Sequence, residues 1–248
     1  VNTTVVYLYP LDARDEFRQH ATRWVKGYKQ FAAGCSHKVL VCASNGSVCR
    51  EDKQLFDGVN PEWDDSYKGN AWDVGEFQYI AKRHDADLML FMNGRTHFWK
   101  EGWLKPFVDA FEKFGDKGLY GNAASFENCA IDPQPWPNPH IRTPCFATSP
   151  KVLRRFPFEI VTREQAGYFE SGRWNVSEWY AERAYPVKLV ARDGVYDKKD
   201  WRKPDRIFRR GNQNNCLVWD RHHKIYTEAD AGTKKMLEDS AGKAEVKL

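Results

Sequence analysis

Short unbroken apolar runs alternate with stretches that repeat their apolar residues at three- and four-residue intervals. Val5-Val6-Tyr7-Leu8-Tyr9 reads as a strand closed by Pro10. Residues 15–31 have helical spacing, with Phe17, Ala21, Trp24, Val25, Tyr28 and Phe31 on one side. A second strand over 38–43 runs into the turn Ser44-Asn45-Gly46, and a polar loop follows. A helix starting at Asp73 leads to Leu88-Met89-Leu90-Phe91-Met92. Five apolar residues in a row suit a strand buried on both faces and are too few for a buried helix. Residues 103–114 are amphipathic, and 118–121 read as a short strand. This βαβαβαβ order predicts an α/β fold with a mainly parallel central sheet flanked by helices.

The pattern changes after Asn122. Four prolines within residues 132–139 exclude helix and predict an extended surface segment. Helical candidates follow at 149–155, 162–168 and 176–185, and a late strand at 187–191. The charged tail over 229–248 is helix-prone, with frayed last residues. Without a repeat or a low-complexity linker, 1–248 reads as one domain. About 1–122 form its first half, and about 123–240 an elaborated second half.

Composition narrows the classes. An apolar fraction of 42% over 248 residues can build a sizeable core. The net charge of +4 comes from 38 basic and 34 acidic residues, too balanced to argue for nucleic acid. No apolar run approaches the ~20 residues of a transmembrane helix, and residues 1–10 lack the pattern of a secretory leader. Six cysteines without a Cys-x-x-Cys pair predict free, mostly buried thiols in a reducing compartment, hence a cytoplasmic protein.

Four constellations could carry chemistry. Asn93-Gly94-Arg95-Thr96 stands at the carboxyl end of the 88–92 strand, where open α/β sheets bind ligands; Arg95 suits a phosphate and Asn93 a ribose, sugar or phosphate oxygen. Asp73, two residues before Gly75, is either a helix cap or a ligand contact. Glu170, beside Gly172 and Arg173, is either a general base or a loop salt-bridge partner. Arg209-Arg210-Gly211 followed by Asn212-Gln213-Asn214-Asn215 presents paired donors and acceptors. Asp220 and His222 could join a metal site, although two residues are not a ligand set. Dinucleotide, Walker, nucleophile-elbow and zinc motifs are absent.

The order of these pieces resembles a nucleotide-sugar glycosyltransferase of the GT-A fold. It is similar to bacterial enzymes of surface-polysaccharide assembly and to the capsid-glycan transferases of large algal viruses. Strand-ending Pro10, Ser44-Asn45-Gly46, the Asp73-Val74-Gly75 helix start, the strand-turn 88–96, Gly102-Trp103-Leu104 and Gly118-Leu119-Tyr120-Gly121-Asn122 carry the resemblance. Further on, 141–147 match the acceptor-side segment, and 210–215 followed by Asp220 the closing motif.

The resemblance implies a UDP- or GDP-sugar donor in the first half and an oligosaccharide or glycoprotein acceptor in the second. A viral member would act in the host cytoplasm. Pro10, Leu11, Ser44 and Asn45 would touch base and ribose, with Asp73 near the nucleoside. Asn93, Arg95, Arg210, Asn212 and Gln213 would complete the donor site. Glu170 and Glu127 are the candidate bases of a hexosyl- or pentosyltransferase. The usual Asp-x-Asp, which binds Mn²⁺ or Mg²⁺ through the donor diphosphate, is replaced by Asn93-Gly94-Arg95. Arg95 is then expected to neutralise the diphosphate, unless a metal is held elsewhere, for example by Asp220 and His222. The competing expectations are an inactive carbohydrate-binding or scaffolding domain and a nucleotidyltransferase.

Overall fold

The computed structural model describes residues 1–202 and 207–241. Its sheet is built outward from β1 (Thr3–Leu8). On one side lie β2 (Lys38–Cys42) and β3 (Glu62–Asp64), parallel to it; on the other lies β4 (Leu88–Met92), also parallel. Beyond β4 come β8 (Cys145–Thr148), β5 (Leu119–Gly121), β9 (Val187–Val190) and β10 (Val195–Asp197). β8 runs antiparallel to both β4 and β5, and β10 antiparallel to β9. The remaining strands share one direction, so the eight-stranded sheet is mostly parallel. β6 (Ala124–Ser125) and β7 (His140–Ile141) form a separate two-stranded ribbon.

Strand alternation sends successive side chains to opposite faces, and both faces are covered. Val5, Tyr7, Val39, Val41, Leu88, Leu90 and Met92 meet α1 (Arg14–Gln30) and α4 (Lys105–Phe114). There Tyr7 packs on Trp24 at 4.7 Å between ring centroids. Val6, Leu8, Leu40, Cys42, Met89 and Phe91 meet α3 (Trp72–Arg83), α5 (Pro150–Leu153), α6 (Arg163–Glu170) and α7 (Val176–Ala181). Each fully buried large side chain contributes about 1.5–3 kcal/mol. Two-sided burial explains why β4 is apolar throughout and β1 and β2 are apolar beyond their first residues.

Several elements depart from the expectations. The polar loop after residue 46 contains α2 (Arg50–Leu55) as well as β3. The helix expected over 176–185 stops at Ala181. Asp220 caps α8 (Arg221–Glu228), accepting from the backbone N–H groups of His222 and His223. The helix-prone tail forms α9 (Ala231–Ser240); residues 242–248 of that expectation lie outside the described residues. All six cysteines are free thiols.

Candidate active site

From β1 the sheet grows through β2 and β3 in one direction, and then through β4 in the other. Such a reversal leaves a crevice at the carboxyl ends of the strands on either side of it. A cleft of about 520 Å³ opens there. Leu8, Pro10, Ser44, Asn45, Asp73 and Asn93 to Arg95 line its first wall. Arg142 to Pro144, Glu170 and Asp220 to His222 line the opposite one.

The first wall is fixed by backbone and amide contacts. The Leu11 N–H donates to Ser44 at 2.9 Å, tying the end of β1 to the end of β2. Asn45 pairs its side-chain amide with both backbone groups of Gly69, at 3.0 and 3.1 Å. Asn93 Nδ2 donates to Asp73 Oδ2 at 3.1 Å, joining the end of β4 to the first turn of α3. Asp73 is therefore a cleft residue inside the helix rather than its cap; Ala71 holds the cap position. The turn at Gly94 needs glycine, because a Cβ there would lie 2.5 Å from the Phe17 ring and 2.9 Å from the Leu8 carbonyl oxygen.

The second wall is hung on the sheet by long-range bonds. The Asn93 N–H donates to the Pro144 carbonyl at 2.9 Å. Buried Asn122, just past β5, accepts from Leu217 and Val218 N–H groups and donates to the Val218 carbonyl at 2.8 Å. That anchor delivers Asp220. Glu170, the last residue of α6, accepts from the Thr143 N–H at 3.2 Å.

Charge is unevenly distributed across the cleft. Burial and then the facing Glu170 push the Asp73 carboxyl up. Burial also opposes ionisation of Asp220, but His223, Arg142 and His222 outweigh it and hold that carboxyl far below the ordinary range. Burial, then the Arg142 charge, lowers His222 to about 4. The imidazole is thus neutral among Arg142, Arg209 and Arg221. Arg95 also reaches the cleft, but its Nη2 is bound to Glu16 at 2.6 Å and its guanidinium covers the Phe17 ring.

Asp220 and His222 do not by themselves make a cation site. Among the described residues no three His, Cys, Asp or Glu side chains converge as a ligand set. Asp220 Oδ1 already takes the His222 and His223 N–H groups, and His222 Nδ1 faces the Arg209 guanidinium at 3.4 Å.

Five expected residues lie elsewhere. Leu11 is buried in the core beside α1. Glu127 is clamped between Arg142, at 2.9 Å, and Arg209, which sits on its other oxygen. Arg210 donates to the Arg202 carbonyl at 2.6 Å. Asn212 accepts from the Asn214 N–H. Gln213, wholly buried, accepts from the Arg209 N–H and donates to the His223 carbonyl. Within the amide run Gln213 is thus an internal brace for α8, and the run does not line the cleft. Its composition suggested ligand recognition because an amide that satisfies neighbouring backbone looks the same in sequence as one that binds a sugar.

Sequence reasoning missed Trp72, Glu76, Arg142, Arg163 and Arg221, all of which line the cleft. One signal existed: Glu76 interrupts the apolar face made by Val74, Phe77, Ile80 and Ala81.

No family model and no curated protein matches this chain. Solved structures with a similar chain course include mouse xyloside xylosyltransferase 1, at 7% identity over 77% of this chain and 85% of that one, TM-score 0.48. HddC from Yersinia pseudotuberculosis complexed with GMP-PN is 13% identical over 81% and 96%, TM-score 0.48. The galactosyltransferase LgtC, complexed with donor and acceptor sugar analogs, is 11% identical over 61% and 59%, TM-score 0.43.

Proposed function

We propose that this chain transfers a glycosyl group from a nucleoside-diphosphate sugar to a hydroxyl of a glycan acceptor. One observation carries the reading. In the crevice of a mostly parallel sheet, Arg95 on one wall and Arg142 and Arg221 on the other stand among the carboxyl groups of Asp73 and Glu170, with Asn93 between the strand end and Asp73. Arginine forks suit a diphosphate; Arg142 brings a buried Nε with no hydrogen-bond partner. Glu170, held by the Thr143 N–H, is the acceptor-side base.

In a single displacement, Glu170 takes the proton of the acceptor hydroxyl as its oxygen bonds to the anomeric carbon. The bond from that carbon to the diphosphate oxygen breaks, and the electron pair leaves on the nucleoside diphosphate. Arg95, Arg142 and Arg221 would stabilise that charge, and preorganised groups of this kind act most strongly where charge develops. Hexosyl or pentosyl donor, UDP or GDP, and a polysaccharide or capsid glycan as acceptor remain choices within this reading.

The test is nucleotide release from a panel of UDP- and GDP-sugars, with and without acceptor oligosaccharides, in Mn²⁺ and in chelator. Release that depends on Glu170 and survives chelation supports the proposal. Sugar binding without release would favour a carbohydrate-binding domain, and nucleotide transfer from a triphosphate would favour a nucleotidyltransferase.

A further inference from the structure

Trp72 and Glu76 are four residues apart, Trp72 opening α3 and Glu76 one turn further in. Both line the cleft, at opposite depths. Trp72 is at the rim, 51% exposed, with its backbone in the left-handed region at φ +49°. A tryptophan held there costs of order 1–3 kcal/mol, a strain that clusters at functional sites. The Arg163 guanidinium stands 6.0 Å from the indole centroid and bonds Asn70, at the same rim.

Glu76 is at the floor, 2% exposed. Its Oε1 is buried without a hydrogen-bond partner. Among the described residues no cation pairs with it. Ser44 at the end of β2 and the carboxylates of Asp73, Asp64 and Asp12 surround it. Burial, then that acidic field, holds the Glu76 carboxyl well above its ordinary range, with the Ser44 hydroxyl opposing. A buried carboxyl with an empty bonding position costs stability, which makes sense at a position that a ligand completes.

We propose that Trp72 and Glu76 form the base-reading site of the donor cleft. The indole stacks on the nucleobase, and the Glu76 carboxyl group exchanges a pair of hydrogen bonds with a base edge that presents N–H beside C=O, as uracil and guanine do. A protonated carboxyl offers one donor and one acceptor side by side, whereas a carboxylate only accepts. The inference rests on the nucleoside-diphosphate reading of the cleft, and the experiment separates the two.

Binding of UDP, GDP and base-free pyrophosphate is measured by calorimetry for the wild type and for E76Q, E76L and W72A. UDP and GDP distinguish the two bases. W72A changes an exposed side chain and so tests the site without threatening the fold. E76Q keeps a donor and an acceptor and should bind within about threefold of wild type. E76L and W72A should each lose about tenfold, the scale of a base–aromatic contact. Pyrophosphate affinity should be the same in all four proteins. If the wild type binds UDP or GDP and both E76L and W72A bind it equally well, the base-reading role is wrong. Loss in E76Q as large as in E76L would show that a charged carboxylate is needed and would overturn it too. Failure of the wild type to bind either nucleotide would refute the donor reading itself, and this inference with it.

Discussion

Arg95 and Glu16 form an ion pair of 2.6 Å at the mouth of the cleft, with the guanidinium lying over the Phe17 ring at 4.8 Å. A donor diphosphate would compete with Glu16 for the same planar fork. Arg95→Ala is therefore expected to weaken UDP or GDP binding about tenfold, the range of a charge-assisted bond. The bare nucleoside should bind as before. Glu16→Gln should strengthen diphosphate binding. Calorimetry on both ligands checks the pair of outcomes, and equal loss of nucleoside and diphosphate would place Arg95 against the base instead.

Glu170→Gln should lower turnover by about 10²–10⁴-fold, the usual contribution of a general base, with donor affinity kept. Single-turnover kinetics with saturating donor measures it. A near-normal rate would leave Glu170 as a brace for Thr143 and shift attention to Asp73, which faces it across the cleft.

Glu127 is expected to matter for stability rather than chemistry. It is the shared partner of Arg142 and Arg209, whose side chains are 9% and 6% exposed. Burial opposes its ionisation, yet Arg142 and Arg209 keep the carboxyl below its ordinary range. Glu127→Ala leaves two buried cations unpaired and should cost about 3–5 kcal/mol, read by urea denaturation. Intact stability with lost activity would return Glu127 to the list of bases.

Glu76 predicts an unusual pH dependence. Its pKa is raised in the folded state, so the native protein keeps a proton that the unfolded chain releases above about pH 4.3. That contribution is complete below the unfolded pKa and is lost as pH rises toward the folded one, by about 1.4 kcal/mol per unit. Glu76→Gln has no such proton to lose. Relative to wild type it should gain stability between pH 5 and pH 8, with the difference shrinking toward pH 4. Parallel unfolding curves across that range would show Glu76 to be charged.

Gly94→Ala should cost about 1–3 kcal/mol, as overpacking does. The new methyl would meet the Phe17 ring and the Leu8 carbonyl. Thermal unfolding checks it, and a neutral result would mean the turn can withdraw from β1.

Legibility in the sequence followed locality. β1, β2 and β4 were readable because burial on both faces gives each an unbroken apolar run, and the turns at their ends pointed to the crevice. Asn93 and Arg95 came from that reasoning, and Asp73 from its place at the start of a helix. β8 escaped because four residues, Cys145 to Thr148, hold their place only through pairing with β4 and β5. Arg142 escaped with it. The amide run at 212–215 misled for the opposite reason: its partners are backbone groups of the same chain, which no spacing reveals. Glu76 was visible as an acid on an apolar helix face, but its meaning depends on Ser44, brought beside it by β2.

The antiparallel course of β8 has one more effect. Its neighbours finish at the crevice, whereas β8 begins there, with Cys145 opposite Met92. The chain therefore enters this part of the sheet from the ligand side. Between Asn122 and Pro144 the chain makes an excursion that is fixed at its ends by Asn122 and by the Pro144 carbonyl, packs Phe126 and Ile141 into the core, and exposes a tip at 133–137. That tip can change length or composition without shifting the register of any strand. Descendants of this scaffold could exchange one partner molecule for another by rewriting that tip alone, while the pocket at the ends of β1 and β2 stayed as it is.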